Sequence, residues 1–313
     1  MRALLVVNPA ATTTSARTRE VLASALEAEL KLEVAHTQHR GHAAELAREA
    51  RHDGLDLVVV LGGDGTVNEV VNGLLADLSH PDGPDLAVVP GGGTNVFSRA
   101  LGVPRDPVEA TGALLDALRD HRRRSIGLGV AGDRWFTFNA GMGWDAEVVA
   151  RVDRRRRARP TDRHTTPTDY VRAAFEQFFL HTDRRHPVLT LERPGEEPVL
   201  LHMAIVANTA PWTYLGDRPL LPSPEASFDT GLDLYALTRL RTVGTLGEVR
   251  RLLRGRPSAR RPGPRTLVHR EHDVPELTLR ASRPVASQVD GEALGDLESL
   301  TFRSVPDALR VVV

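Results

Sequence analysis

One stretch of twelve residues limits what this chain can fold into more than any other. Val58-Val59-Val60-Leu61-Gly62-Gly63-Asp64-Gly65-Thr66-Val67-Asn68-Glu69 runs an apolar, strand-like segment into three glycines within four positions and then opens a helical pattern. A buried strand followed by a glycine turn and a helix start aims backbone amides at the space in front of the turn, and anions fill such spaces. The stretch predicts a phosphate cradle at the end of a parallel strand. Thr66 and Glu69 have capping-box spacing, which predicts that together they start the helix. Asp64, a carboxylate in a phosphate-binding turn, is expected to hold Mg2+ or to orient a substrate hydroxyl.

The same grammar recurs at Val88-Val89-Pro90-Gly91-Gly92-Gly93-Thr94-Asn95. In a parallel sheet, loops at the carboxyl ends of the strands converge on one crevice, so two glycine loops are expected to face one ligand. Asn8-Pro9-Ala10-Ala11-Thr12 supplies a third strand end on that edge. No Gly-Lys-Ser/Thr occurs, and Lys31 is the only lysine, so a Walker A clamp is excluded. The glycine spacing of a dinucleotide fingerprint is absent as well.

Around these loops the first 125 residues alternate short strands with helices. Strands are predicted at Ala3–Val7, Leu32–Ala35, Leu57–Leu61 and Asp85–Val89, and helices at Ser15–Leu30, Ala43–Ala50, Val67–Leu78 and Val108–Leu118. This pattern predicts an α/β domain with a mostly parallel sheet. After Arg122-Arg123-Arg124 the pattern becomes short strands and turns: Ser125–Val130, Trp135–Asn139, Val188–Leu191, Leu200–Ala207, Leu232–Leu237, Glu276–Arg280, Val285–Val289 and Leu297–Phe302. Their spacing predicts a mostly antiparallel β-sandwich from 126 to 305. One helix, Asp169–Leu180, interrupts it, and the final run Leu309–Val313 is expected to return to the first domain.

With 313 residues, 41% hydrophobic and 26% charged, the chain has enough sequence for two cores. No apolar run approaches the ~20 residues of a membrane-spanning helix. The absence of cysteine excludes disulfides, thiolate metal sites and cysteine nucleophiles. The N-terminus does not read as a signal peptide, so a cytoplasmic home is expected. The charges nearly balance at 40 basic against 41 acidic, but two arginine clusters, Arg151–Arg163 and Arg250–Arg265, break the balance locally. They read either as solvated surface or as a basic collar drawn to anionic lipid headgroups. No aromatic residue interleaves with them, which argues against nucleic acid.

Taken together, Asn8-Pro9, Gly62-Gly63-Asp64-Gly65-Thr66, Gly91-Gly92-Gly93-Thr94-Asn95-Val96-Phe97-Ser98-Arg99 and Val289-Asp290-Gly291-Glu292 resemble the diacylglycerol kinase catalytic-domain family, which includes bacterial lipid kinases and sphingosine kinases. NAD kinases and some phosphofructokinases share a similar first loop. The resemblance implies ATP and Mg2+ as cofactors and transfer of the γ-phosphoryl group to a lipid hydroxyl, diacylglycerol first among acceptors. Sphingoid-base or other lipid-alcohol kinase, NAD kinase and a non-catalytic nucleotide- or lipid-binding regulator are the alternatives.

Carried over by resemblance, Asn8, Pro9, Ala10, Ala11, Thr12 and Thr37 line the nucleotide with Gly62, Gly63, Asp64, Gly65, Thr66, Val67 and Asn68. Gly92, Gly93, Thr94 and Asn95 complete that set. The family often has a hydroxyl residue where this chain has Gly93, so either Gly93 or Thr94 would meet the phosphate. Glu292 is implied as the general base and Asp290 as an orienting or metal-assisting carboxylate, although an Asp-Gly-Glu triplet is also the ordinary composition of a hairpin turn. Asp145 is a candidate for the substrate cleft. Ser227, Thr230 and Leu232 fall where some members hold a structural Mg2+, but Asp229-Thr230-Gly231 lacks the second carboxylate those members carry. The implied partner is a lipid substrate met peripherally at an anionic membrane surface, with homodimerisation left open.

Overall fold

The computed structural model describes residues 1–9, 15–76, 83–143, 146–147, 186–193, 197–255 and 267–313. The expected helix Asp169–Leu180, the cluster Arg151–Arg163, most of Arg250–Arg265, and the candidates Ala10, Ala11, Thr12 and Asp145 lie outside the described residues. The chain divides into two compact units, one of residues 1–126 and 307–313 and the other of residues 127–306.

The first unit contains β1 (Arg2–Val7), α1 (Ala16–Glu27), β2 (Lys31–His36), α2 (His42–His52), β3 (Leu57–Gly62), α3 (Asp64–Leu74), β4 (Asp85–Pro90), α4 (Val96–Ala100) and α5 (Pro107–Arg119). Its strands run in the order β4-β3-β1-β2, all parallel. β3 and β4 are buried at every position, as strands in the middle of a parallel sheet are, and apart from Asp85, which pairs with Arg123 and Arg310, their side chains are apolar. Helix starts follow local chemistry. The Ser15 hydroxyl accepts from Thr18 N at 3.0 Å to cap α1, and Asp106 caps α5 ahead of Pro107. Leu5, Leu26, Leu57, Val59, Val89 and Leu114 sit in one core.

In the second unit, β5 (Arg123–Ala131), which starts in the first, is followed by β6 (Arg134–Phe136), β7 (Asn139–Gly143), β8 (Leu189–Glu192), β9 (Val199–Leu201), β10 (Met203–Ala207), β11 (Thr213–Leu215), β12 (Arg218–Leu220), β13 (Leu232–Leu237), α5's successor α6 (Thr242–Leu253), β14 (Val268–Val274), β15 (Glu276–Val289) and β16 (Glu292–Val312). The pairs β10–β13, β7–β10, β11–β12, β13–β14, β15–β16, β7–β15, β8–β15, β5–β6 and β8–β9 are antiparallel. The long β15 pairs with β8 through Thr278–Ala281 and with β7 through Ser287–Val289, and its register against β16 shifts between Arg280 and Val285. Phe136, Met142, Leu191, Leu234, Leu279 and Phe302 share its main core.

The fold class expected, a parallel α/β domain followed by a mostly antiparallel β domain, is the one the chain adopts. Several elements differ in detail. Glu276–Arg280 and Val285–Val289 are one strand because the chain bends through a bulge instead of turning. Leu200–Ala207 is two strands, parted at His202, whose N–H donates to Leu237 O at 2.8 Å. α4 and α6 were not expected: α4 is too short for a periodic signal, and α6 carries Gly244 and Gly247, both poor helix formers.

Candidate active site

The first set of candidate residues stands where β1, β2, β3 and β4 end. Asn8 N donates to Leu61 O at 3.1 Å and Thr37 N to Val7 O at 2.9 Å, so the strand ends are tied to one another. α3 begins at Asp64, three residues earlier than expected, with Gly63 as an extended N-cap that offers no side-chain oxygen. The first amides of a helix have no intrahelical acceptor, and here no capping side chain takes their place.

The capping-box expectation is corrected. Thr66 Oγ1 accepts from Asn8 Nδ2 at 2.9 Å, and Glu69 turns to the neighbouring helix, accepting from Gly41 N at 2.9 Å and Ala43 N at 3.3 Å. Glu69 therefore serves the start of α2, where its negative charge meets the positive end of that helix.

The two glycine turns touch. Gly91 N donates to Gly62 O at 2.8 Å, and a Cβ on Gly92 would lie 2.7 Å from Gly63 Cα and 2.9 Å from Asn95 Oδ1. No side chain fits there. Asn95, in the left-handed region at φ 51°, clasps Gly92 by accepting from its N–H at 2.9 Å and donating to its carbonyl at 2.6 Å. Asp64 links one turn to the next: its Oδ2 accepts from Val96 N at 3.0 Å and its Oδ1 from Phe97 N at 3.1 Å, at the start of α4. These bonds use two of the roughly four acceptor positions of a carboxylate. Gly93 is exposed, with nothing within 4 Å of a Cβ built on it. Val67 and Asn68 have buried side chains, and Pro9 is exposed.

The second set lies on the β15–β16 hairpin. Val289 pairs with Glu292, and the two residues between them, Asp290 at φ 46° and Gly291 at φ 78°, have the paired positive φ of the tight turn that suits strand twist. The Asp290 side chain turns inward and is buried. Its Oδ2 accepts from Thr137 N at 2.7 Å and Thr137 Oγ1 at 2.8 Å, and its Oδ1 from Phe138 N at 3.0 Å and Asn139 N at 3.1 Å. Burial raises its pKa above the usual carboxylate range, although the four donors pull the other way. Gln288 braces the turn, accepting from Gly291 N at 3.0 Å and donating to Asn139 Oδ1 at 2.9 Å. Next along the chain, Glu292 is partly exposed and its Oε2 lies 3.4 Å from Arg134 Nη2.

Asp290 thus has its oxygens on a backbone segment and braces the turn, an arrangement that fits orienting better than metal-assisting work. Thr137, Asn139, Gln288 and Arg134 are the supporting residues that sequence reading did not assign. Thr137 and Arg134 carry no motif, and Asn139 ends the predicted strand Trp135–Asn139.

At the third group, Thr230 N and Oγ1 both donate to Ser227 O, at 3.2 and 3.1 Å, so the loop closes on itself. Leu232 is a buried strand residue paired with Val274. The acids near this loop are different ones. Glu225, Asp233 and His272 each bring a ligand atom within 4.8 Å of the others, and His272 Nδ1 lies 2.7 Å from Asp233 Oδ1. Burial raises the Asp233 pKa, and the His272 hydrogen bond opposes that rise.

Residues 2–130 match the family described as "Diacylglycerol kinase catalytic domain". A Chromohalobacter salexigens protein named "Probable lipid kinase YegS-like" is 39% identical over 131 residues, 42% of this chain and 40% of its own. The diacylglycerol kinase of Bacillus subtilis (strain 168) is 40% identical over 110 residues, 35% of this chain and 34% of its own. The matched stretch spans about two fifths or less of these relatives' length. A crystal structure of a diacylglycerol kinase from Bacillus anthracis str. Sterne shares the fold, with TM-score 0.70 and 20% identity over 99% of this chain and 96% of that one. Over residues 2–130, the chain is similar to the diacylglycerol kinase catalytic domain family.

Proposed function

We propose that this protein transfers the γ-phosphoryl group of ATP to the hydroxyl of a lipid alcohol, with diacylglycerol the first candidate. The observation that carries the reading is the contact of Gly63 with Gly92, which lets two glycine turns share one anion in front of the uncapped start of α3. Phosphoryl transfer asks the protein chiefly to position the reactants and balance charge. The first-turn amides of α3 would hold phosphate oxygens. Asp64 acts as a positioning residue, because it fixes the second turn against the first through Val96 and Phe97. Mg2+ entering with the nucleotide would neutralise phosphate charge, and Asp64 is the carboxylate of these turns that would hold it, consistent with a cation that needs only one or two protein carboxylates beside phosphate.

Glu292 is assigned as the base that takes the acceptor's proton. The Asp290-Gly291 turn sets its backbone position, and Arg134 sets its side chain. Labelled ATP offered separately with dispersed diacylglycerol, a sphingoid base and NAD tests the reading. Label in a lipid product supports it, and label in the NAD fraction alone refutes it. Glu292→Gln should retain ATP binding and lower transfer by a factor of about 10²–10⁴; an unchanged rate would remove the base assignment.

A further inference from the structure

The outer face of α6 is apolar, and the helix itself carries one acid, Glu248. Val243, Leu246 and Val249 are 86, 45 and 39% exposed. At 100° per residue, they and Leu253 fall within roughly 120° of the helix circumference. The opposite face is already used. Thr245 and Glu248 are buried, and Leu252 packs on the cluster of Met203, Ile205, Tyr235 and Leu237. A helix whose inner face is satisfied has no structural need for three outward aliphatic side chains, and contiguous apolar surface of this kind marks an interaction site.

The surrounding charge identifies the partner. Among the described residues 239–255 there are five arginines and one acid, Glu248. That acid points inward, 3.4 Å from the Tyr235 hydroxyl and 3.7 Å from Arg251 Nη1. By helical spacing Arg250 falls within the arc of the apolar stripe and Arg254 at its edge, and both are exposed. An aliphatic stripe edged by arginine, with no exposed carboxylate on the helix, complements an anionic bilayer. The apolar side chains enter the headgroup boundary, and each nearby arginine adds attraction to anionic lipid.

We infer that α6 is the element that docks this protein on anionic phospholipid, lying in the plane of the membrane surface with Val243, Leu246 and Val249 inserted. This inference rests on the lipid-kinase reading only for its purpose, which is to bring the enzyme to a membrane-embedded acceptor.

The test is sedimentation of the full chain with phosphatidylcholine vesicles, with and without phosphatidylglycerol, in the absence of ATP and of any acceptor. Wild type should bind the anionic vesicles, and added salt should weaken binding by screening. The triple variant Val243→Ser/Leu246→Ser/Val249→Ser should bind about tenfold or more weakly. Because the chain has no cysteine, Leu246→Cys can carry a polarity-sensitive fluorophore at one position, and its emission should shift on anionic vesicles while the same label at exposed Val21→Cys does not.

Equal binding by the triple variant, or an unmoved Leu246→Cys label, overturns the inference. So does a dimer that the triple variant splits while vesicle binding persists, because the face would then belong to a second copy. Transfer to a short-chain, water-dispersed diacylglycerol separates this idea from the function itself. The triple variant should match wild type there, and absence of transfer by both proteins would sink the kinase reading while leaving the vesicle result standing.

Discussion

Asp290 offers the sharpest quantitative test of how the hairpin is held. Asparagine tolerates the φ of 46° at this position, so Asp290→Asn changes the hydrogen bonding and little of the backbone preference. With the amide oxygen in the place of Oδ1, the bonds from Phe138 N and Asn139 N survive, the Thr137 hydroxyl can rotate to accept, and Thr137 N is left facing an NH2 group. One orphaned buried amide costs about 1–3 kcal/mol, and the surviving bonds lose their charge assistance. Removing a buried charge offsets part of that. The expected loss is about 2 kcal/mol, roughly thirtyfold in the unfolding equilibrium. Asp290→Ala orphans three backbone amides and places alanine at positive φ, for a loss of about 4–5 kcal/mol.

Urea unfolding followed by tryptophan fluorescence suits the measurement, because Trp135 lies in β6, two residues before Thr137. The pH dependence adds a second check. Burial raises the folded-state pKa of Asp290 above its unfolded value, so its stabilising contribution is complete below the unfolded pKa and is lost as pH rises through the folded one. The stability gap between wild type and Asp290→Asn should therefore widen as pH falls from neutral towards about 4. A gap that narrows on acidification would show that the four donors outweigh burial, and an asparagine variant as stable as wild type would refute the account of the turn.

Gly92→Ala should weaken nucleotide binding at least about tenfold and cost about 1–3 kcal/mol, because its Cβ meets backbone at 2.7 Å; titration with ATP and urea unfolding measure the two effects. Gly93→Ser, one residue on and in open space, should change stability by less than about 0.5 kcal/mol, and a larger change would mean the turn is not as drawn. Asp64→Asn cannot accept both the Val96 and Phe97 amides and should cost about 1–2 kcal/mol together with ATP affinity, with equal ATP binding counting against its positioning role. Glu69→Gln should cost about 1 kcal/mol and lower the melting temperature by about 2–4 °C while leaving ATP affinity alone, since it serves α2.

What the sequence revealed of the fold follows from the range of the interactions involved. β3 and the Leu86–Val89 stretch of β4 were legible because a strand buried on both faces is chiefly apolar, and the following glycines fix where it ends. The capping-box reading of Thr66 and Glu69 failed because spacing along a helix is local information, whereas Gly41 and Asn8 compete for those side chains from 28 and 58 residues away. Asp64 was visible as a carboxylate in a turn, but its partners lie 32 and 33 residues on, and a single sequence holds no signal for that pairing. Thr137 as a partner of Asp290, 153 residues apart, was beyond reach for the same reason.

The Asp290-Gly291-Glu292 triplet shows why turn composition and site chemistry should not be weighed as rivals. A two-residue hairpin needs positive φ at both central positions, which selects Asp-Gly on conformational grounds alone. Once Asp290 takes the first position, its short side chain reaches the backbone of Thr137, Phe138 and Asn139, and the hairpin is pinned to the start of β7 by four hydrogen bonds. The residue after the turn is then the best-located point on β16, because its backbone follows directly from a locked pair of dihedral angles. A partly exposed glutamate at that point, with Arg134 beside it, is held more firmly than one on a free loop could be. On the proposed assignment of Glu292 as the base, loosening Asp290 should lower the transfer rate even in a variant that remains folded.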